Sequence, residues 1–160
     1  MQDDAEFTLR PLAPADAAAA AALIRAAFAA LSAPVDPPPS ALRETAESVA
    51  AAILAGGGAG AWRGTVLVGA VLWTQKDGGL YVARLSVHPA WRGRGVARAL
   101  MAAAEAEARR RALPRMLLST RLALTDNRRL FAACGFRETA EHAHPGYPAP
   151  TFVDMEKSLA

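Results

Sequence analysis

The run Leu85-Ser86-Val87-His88-Pro89-Ala90-Trp91-Arg92-Gly93-Arg94-Gly95-Val96-Ala97 passes from an apolar, strand-like stretch through two glycines into a helical pattern. Glycine lets the main chain turn tightly and aim several N–H groups at one point, and a helix N-terminus adds unpaired donors carrying about half a positive charge. Together these hold a phosphate. Arg92, Arg94 and Arg98 flank the turn and bring cations to the same place. An isolated Gly-x-Gly is also read as a plain β-α turn with solvated arginines, so context has to decide. A nucleotide-hydrolysing loop needs Gly-x-x-x-x-Gly-Lys-Ser/Thr, and no lysine follows Gly95. A dinucleotide fold needs a third Gly or Ala and an acid about 20 residues on. Here Arg98 stands in the third position, and Leu113-Pro114-Arg115-Met116 offers no carboxylate.

Arg92-x-x-Gly95-x-Ala97, placed after a strand ending Val87-His88-Pro89 and opening an amphipathic helix, resembles the acetyl-CoA loop (Arg/Gln-x-x-Gly-x-Gly/Ala) of the GNAT superfamily of N-acetyltransferases. Downstream, the segment from Asn127 to Gly135-Phe136 is similar to the family's Asn-x-x-x-x-Tyr-x-x-x-Gly-Phe, with one residue fewer between Asn127 and Phe131. Two motifs in the right order are far more specific than one. The resemblance covers about residues 60 to 159, and the amino-terminal third only in element order.

What the resemblance implies is acetyl-CoA as acyl-donor substrate and a primary amine as acceptor, on a small molecule, an amino acid or a peptide. The strand before the loop would splay from its neighbour and offer backbone groups of Leu85, Ser86 and Val87 to the pantetheine arm. The diphosphate would sit on backbone N–H groups of Gly93, Arg94, Gly95, Val96 and Ala97, with a Cβ at Gly95 crowding it. Arg92 and Arg98 would add charge. Asn127 would contact the pantetheine arm or cap its own helix. Phe131 takes the cofactor-side position where many relatives place a tyrosine that protonates the leaving thiolate, and a phenyl ring has no proton to give. Nor does the strand Leu80 to Val87 carry a glutamate base; its only charged side chain is Arg84, which cannot accept.

Direct attack of an amine on a thioester requires that an ammonium lose a proton, that an oxyanion be stabilised and that a thiolate be protonated. A CoA thiol has a pKa not far above that of free Cys, ~8.5, so water suffices for the last step. The base falls to the stretch between the last two strands, where His144 and Tyr147 are the candidates and His142, Glu138 and Glu141 lie nearby. His144-Pro145-Gly146-Tyr147 resembles a turn of one GNAT subgroup. Its other reading is a structural loop with hydrogen-bonded polar tips. His88 reads as a turn residue, Trp73 and Trp91 as half-buried packing, Cys134 as an inert packed thiol, and Arg109-Arg110-Arg111 as a solvated helix end. A catalytically weak acetyl-CoA-binding sensor is the rival reading raised by Phe131 and the missing strand glutamate.

The elements that must position these residues follow from periodicity and punctuation. Phe7 to Leu12 reads as a strand, and Ala17 to Ala30 as a helix with Leu23, Ile24, Ala27 and Phe28 on one face. The prolines of Val35-Asp36-Pro37-Pro38-Pro39 form a loop, and Ser40 is expected to cap a second helix through about Leu54. Ala59–Arg63, Thr65–Trp73 and Leu80–Val87 read as antiparallel strands joined by short glycine turns. Val96 to Ala112 carries Val96, Leu100, Ala104 and Ala108 on one helical face. Arg115–Thr120 reads as a strand, Asp126-Asn127 opens a helix to Ala133, and Phe136–Glu141 and Thr151–Glu156 are the last strands. The expected fold is α+β and GNAT-like: residues 1–160 as one domain, with a mixed, mostly antiparallel sheet of six or seven strands and about four helices in the order β-α-α-β-β-β-α-β-α-β-β.

Composition sets the outer limits. Apolar residues are 52% and charged ones 21% of the 160, which excludes a chain too polar to bury a core. A lone cysteine allows no intramolecular disulfide, three scattered histidines no metal site, and Met1-Gln2-Asp3-Asp4 is acidic where a secretory signal is basic. A reducing cytoplasm is the expected location. The apolar run Ala17 to Ile24 falls far short of the ~20 residues that cross a bilayer, so no membrane partner is expected. Net charge is +3, with 16 arginines among the 18 basic residues. A polyanion is thereby admitted, but no helix-turn-helix, zinc-knuckle or RRM signature supports a specific nucleic acid. Dimers are common in the family, yet no unpaired apolar stripe demands a homodimer here.

Overall fold

The computed structural model describes residues 6–160; the acidic start Met1–Asp4 lies outside them. The elements are β1 (Thr8–Pro11), α1 (Ala17–Ala29), α2 (Ala46–Ala55), β2 (Gly58–Arg63), β3 (Val66–Lys76), β4 (Gly79–Val87), α3 (Val96–Arg110), β5 (Arg115–Arg121), α4 (Thr125–Ala133), β6 (Arg137–His142) and β7 (Phe152–Ser158). The expected order holds throughout. The strands form one seven-stranded sheet in the order β1-β2-β3-β4-β5-β7-β6, antiparallel except for the β4–β5 pair.

Strand alternation divides the core in two. Val71, Trp73, Leu80, Val82, Met116 and Leu118 point to the face covered by α3 and by Phe131 of α4. Ala70 and Leu72 point to the other face, against Leu23 and Ile24 of α1 and Val49 and Ile53 of α2. The abundance of alanine has a local use in α3, where Ala104 and Ala108 are fully buried and let the helix lie close to the sheet. Its buried face also carries Val96, Leu100 and Met101.

Two helix starts differ from the sequence expectation. Ser40 does not cap the second helix: residues Ser40–Arg43 form a 3-10 turn, and the chain is extended again at Glu44. The cap is Thr45, whose hydroxyl accepts from the Ser48 N–H at 3.1 Å while Ser48 Oγ accepts from the Thr45 N–H at 2.9 Å. This reciprocal pair satisfies two otherwise unpaired donors at once, which a lone serine before an alanine cannot do. The last helix begins at Thr125 without a side-chain cap, so Asp126 and Asn127 lie inside its first turn.

β4 and β5 pair only at Leu80 with Met116 and Tyr81 with Leu117, and beyond these residues they part. On its other side β4 stays paired with β3 as far as Val87, through an irregularity between Ala70 and Leu72. The extra residue falls at Arg84, which adopts φ +57, a left-handed conformation that disfavours any side chain.

Candidate active site

The gap between β4 and β5 opens into a groove of about 640 Å³. One wall is Leu85, Ser86 and Val87; the other is Ser119, Thr120 and Arg121. Gly93, Ala97, Asn127 and Phe131 close one side of it. Ser86 is buried and its hydroxyl donates to the Arg84 carbonyl at 2.9 Å, so its side chain is tied to its own strand and the backbone faces the gap. His88 N–H donates to Val68 O at 2.8 Å, on the β3 side; alternation then turns the Val87 N–H toward the groove.

The glycine turn is built by conformation. Gly93 has φ +77 and Gly95 φ +83, and a Cβ at either would meet no protein atom within 4 Å. Glycine is required there by the backbone, and the space beside it is open. Gly95 is the N-cap of α3, and the first intrahelical bond is Ala99 N–H to Gly95 O at 3.0 Å. Among the described residues, no backbone N–H from Gly93 to Arg98 has a protein acceptor. Six donors at one bend, beside the positive end of a 15-residue helix, make a cradle for a multiply charged anion.

The flanking arginines separate. Arg92 lines the groove and reaches the Ala27 carbonyl at 3.4 Å, near the end of α1. Arg94 is engaged elsewhere: Nη1 lies 2.7 Å from Glu6 Oε1, and its guanidinium sits 4.5 Å above the Trp91 ring centre. Arg98 is exposed, one turn into α3. Neither Arg94, Gly95, Val96 nor Arg98 lines the groove with its own atoms. Asn127 does line it and caps nothing, which removes the capping alternative. Phe131 is 6% exposed and meets Phe136 edge-on at 6.2 Å, a packing role that also floors the groove.

The opposite end is made by segments distant in sequence. His144 lines it, edge-on to Phe152 at 4.9 Å between ring centres. Its Nδ1 is hydrogen-bonded to the Thr151 hydroxyl, leaving Nε2 as the nitrogen free to meet a substrate. Burial, reinforced by the charge of Arg121, holds the imidazole below its ordinary pKa, so it is neutral at pH 7. Tyr147 does not line the groove, and its hydroxyl donates to Asp36 Oδ1 at 2.7 Å. That bond, then burial and the Asp36 charge, raise the phenol above its ordinary value. Its proton is committed to Asp36, and the side chain ties the last turn to the proline loop. The structure thus brings His144 and not Tyr147 to the groove.

Several groove residues carry no motif. Arg84 lines it with Nε 2.7 Å from Glu44 Oε2 and Nη2 3.1 Å from Ser40 Oγ. Burial alone would raise the pKa of Glu44, but the Ser48 hydroxyl and the Arg84 guanidinium together bring it below the usual carboxylate range. Arg121 donates to the Pro37 carbonyl at 2.7 Å. The only sequence sign of these pairs is that cations and a carboxylate occur in segments whose meeting depends on the fold.

The residues outside the groove follow their structural readings. His88 Nδ1 accepts from the Ala90 N–H at 3.1 Å, a turn contact. Cys134 is half-buried, and burial raises its thiol pKa, as befits an unreactive side chain. Arg109 pairs with Glu105, and Arg110 and Arg111 with Glu107, but Arg111 departs from the solvated reading: it is half-buried and donates to the Gly56 carbonyl at 2.9 Å. Among the described residues no group of three or more His, Cys, Asp or Glu side chains is placed to hold a metal ion, and no helix is long and apolar enough to cross a membrane.

A strand pair that parts beside a glycine turn at a helix N-terminus is the arrangement expected of an acyltransferase that takes coenzyme A thioesters. The chain belongs to the acetyltransferase (GNAT) family, whose model matches residues 21–136. No curated protein matches the sequence. Solved structures match the fold over nearly its whole length. The ribosomal-protein-S18-alanine N-acetyltransferase of Escherichia coli has TM-score 0.78 at 17% identity, over 96% of this chain and 94% of its own. The PaiA N-acetyltransferase of Thermoplasma acidophilum, in complex with coenzyme A, has TM-score 0.77 at 16% identity, over 97% and 100%. YncA of Salmonella typhimurium, with its cofactor acetyl-CoA, has TM-score 0.73 at 22% identity, over 98% and 95%. At these identities the likeness is one of fold. Acetyl-CoA is the acyl donor of this family, and the unpaired donors of the glycine turn and the free edge of β4 fit its diphosphate and its amide-bearing arm.

Proposed function

We propose that the protein transfers the acetyl group of acetyl-CoA to a primary amine by direct attack, and that the groove between β4 and β5 is where the two substrates meet. The observation that carries this reading is the set of unpaired N–H groups from Gly93 to Arg98 beside the unpaired edge of β4. Acetyl-CoA supplies a thioester carbonyl activated toward nitrogen and a thiol leaving group.

The residues divide the remaining work. Gly93 to Ala97 hold the diphosphate by main-chain donors, with Arg92 and Arg98 adding charge at the groove and at its mouth. Leu85, Ser86 and Val87 bond the arm through the backbone, and Asn127 faces it from α4. The Val87 N–H is aimed at the developing oxyanion. His144 Nε2, neutral at pH 7, takes the proton that the amine sheds as the new C–N bond forms. Phe131 keeps the floor apolar and donates nothing, so the thiolate released when the C–S bond breaks takes its proton from water. Tyr147 acts indirectly, by fixing the loop at Asp36.

The buried phenyl at position 131 also favours a second reading, an acetyl-CoA sensor that binds without turnover. Calorimetric titration with acetyl-CoA, followed by measurement of thiol release across a panel of amino acids, polyamines, aminoglycosides and peptide N-termini, tests both. Saturable binding with amine-dependent thiol release supports the enzyme. Binding with no release from any amine selects the sensor, and absence of binding refutes both.

A further inference from the structure

Arg121 occupies an unusual position among the charged groups of the groove. On β5, Met116, Leu118 and Thr120 are buried, the first two in the core under α3. Alternation places Leu117, Ser119 and Arg121 on the other face of the sheet, toward the segment that follows α1. The Arg121–Pro37 hydrogen bond confirms that direction. Its guanidinium is half-buried, and it forms no ion pair among the described residues, whereas Arg84 in the same groove is paired with Glu44. The charge of Asp36 reaches Arg121 but makes no ion pair with it, and that carboxylate accepts from the Tyr147 hydroxyl.

A guanidinium partly withdrawn from water with no carboxylate in direct contact is costly unless a ligand completes it. The donor does not supply that ligand. The charged phosphates of a coenzyme A ester belong to the glycine turn, on the side of the sheet that carries α3, and its arm and thioester are neutral. The vacant forks of Arg121 therefore face the acceptor. His144 lies near enough for its pKa to feel the Arg121 charge, so an anionic group bound by Arg121 would place a nearby amine beside the imidazole. A planar guanidinium with free N–H groups matches a carboxylate in geometry as well as in charge.

We infer that Arg121 binds a carboxylate of the acceptor, and that the substrate class is a small amino acid-like molecule bearing its carboxylate close to the amine that is acetylated. This inference rests on the acetyltransferase reading above and names the acceptor of that same groove. A neutral or polycationic amine, such as a polyamine, would leave the cation unanswered or repel it. Arg121 is thus a specificity-determining residue that touches substrate and takes no part in proton transfer.

The test compares each of the twenty standard amino acids with its carboxamide, at saturating acetyl-CoA, by thiol release. The same ligands are titrated calorimetrically onto the protein saturated with coenzyme A. The carboxamide amine is the more easily deprotonated, so any bias from nucleophile protonation runs against the expected result. For the best acceptor, kcat/KM for the acid should exceed that for the amide at least tenfold, mostly through KM, with a parallel gap in affinity. Arg121→Gln should bring the ratio close to one, Arg121→Lys should restore part of it, and coenzyme A affinity should stay as in the parent. An acid-to-amide ratio near one in the parent, or a ratio that survives Arg121→Gln, overturns the proposal. If no amine is turned over, the function reading fails separately. The calorimetric gap and its loss in Arg121→Gln then still decide for or against carboxylate binding.

Discussion

Replacing Gly95 by alanine separates two roles of this residue, relieving backbone strain and leaving room for a ligand. At φ +83 an alanine costs about 1–2 kcal/mol in conformational strain, and no steric cost adds to it because a Cβ there meets nothing within 4 Å. In a chain of this size each kcal/mol moves the melting temperature by about 2–4 °C. Gly64, in the turn between β2 and β3, is the matched control: φ is +60, its Cβ also meets nothing within 4 Å, and it does not line the groove. Both variants should melt a few degrees early. Only Gly95→Ala should also weaken acetyl-CoA, because its methyl group enters the space over the unpaired donors. Losing one charge-assisted hydrogen bond, about 1.5–3 kcal/mol, corresponds to about a ten- to hundredfold loss of affinity. Gly95→Glu, which sets a carboxylate against the phosphates, should abolish binding. Calorimetry on folded protein reads affinity, and thermal melts read strain. Parent-like affinity in Gly95→Ala, or an equal loss in Gly64→Ala, would refute the placement of the diphosphate.

Three further outcomes are expected. His144→Ala should lower kcat at least tenfold while leaving coenzyme A affinity within a factor of about two. The imidazole pKa is depressed, so its contribution to kcat/KM should fall away only at pH values below the usual histidine range, and the variant should lack that acidic limb; an unchanged pH profile places the base elsewhere. Tyr147→Phe removes the bond to Asp36 and should raise the acceptor KM about threefold with little change in kcat, and a hundredfold fall in kcat would return Tyr147 to the chemistry. Glu107, held at a pKa of about 2 by its bonds to Arg110 and Arg111 against an ordinary 4.5, stabilises the fold above pH 4.5 and progressively less as pH falls toward 2. Denaturant melts of Glu107→Gln should show a shallower loss of stability across that window.

The parts of the fold that are local in sequence were legible in it. Glycines, prolines and the apolar spacing of Val96, Leu100, Ala104 and Ala108 give element order and the glycine turn, because each acts within a few residues of itself. The second helix start was misread because Ser40 is a good cap in isolation, while the reciprocal Thr45–Ser48 pair is better by one donor. At the far end of the groove only His144 was legible; the long-range contacts around it were not. Tyr147 meets Asp36 across 111 positions and Arg121 meets Pro37 across 84, and nothing near either residue marks those encounters. His144 and Tyr147 looked alike in the sequence, yet only His144 lines the groove, while the Tyr147 ring, edge-on to it at 6.3 Å, carries its hydroxyl to Asp36.

Arg84 links the two ends of the groove. Its left-handed conformation marks the bulge in the strand whose free edge we propose for the donor, and its guanidinium is gripped by Glu44 at the threshold of α2. On the proposed reading, the wall that takes the acceptor and the edge that takes the donor are joined through this one ion pair. Grafting a foreign segment over residues 32–45 to change the acceptor would slacken the thioester seat as well, unless the graft keeps an acid at position 44. Retargeting this enzyme means transplanting the loop and its latch together.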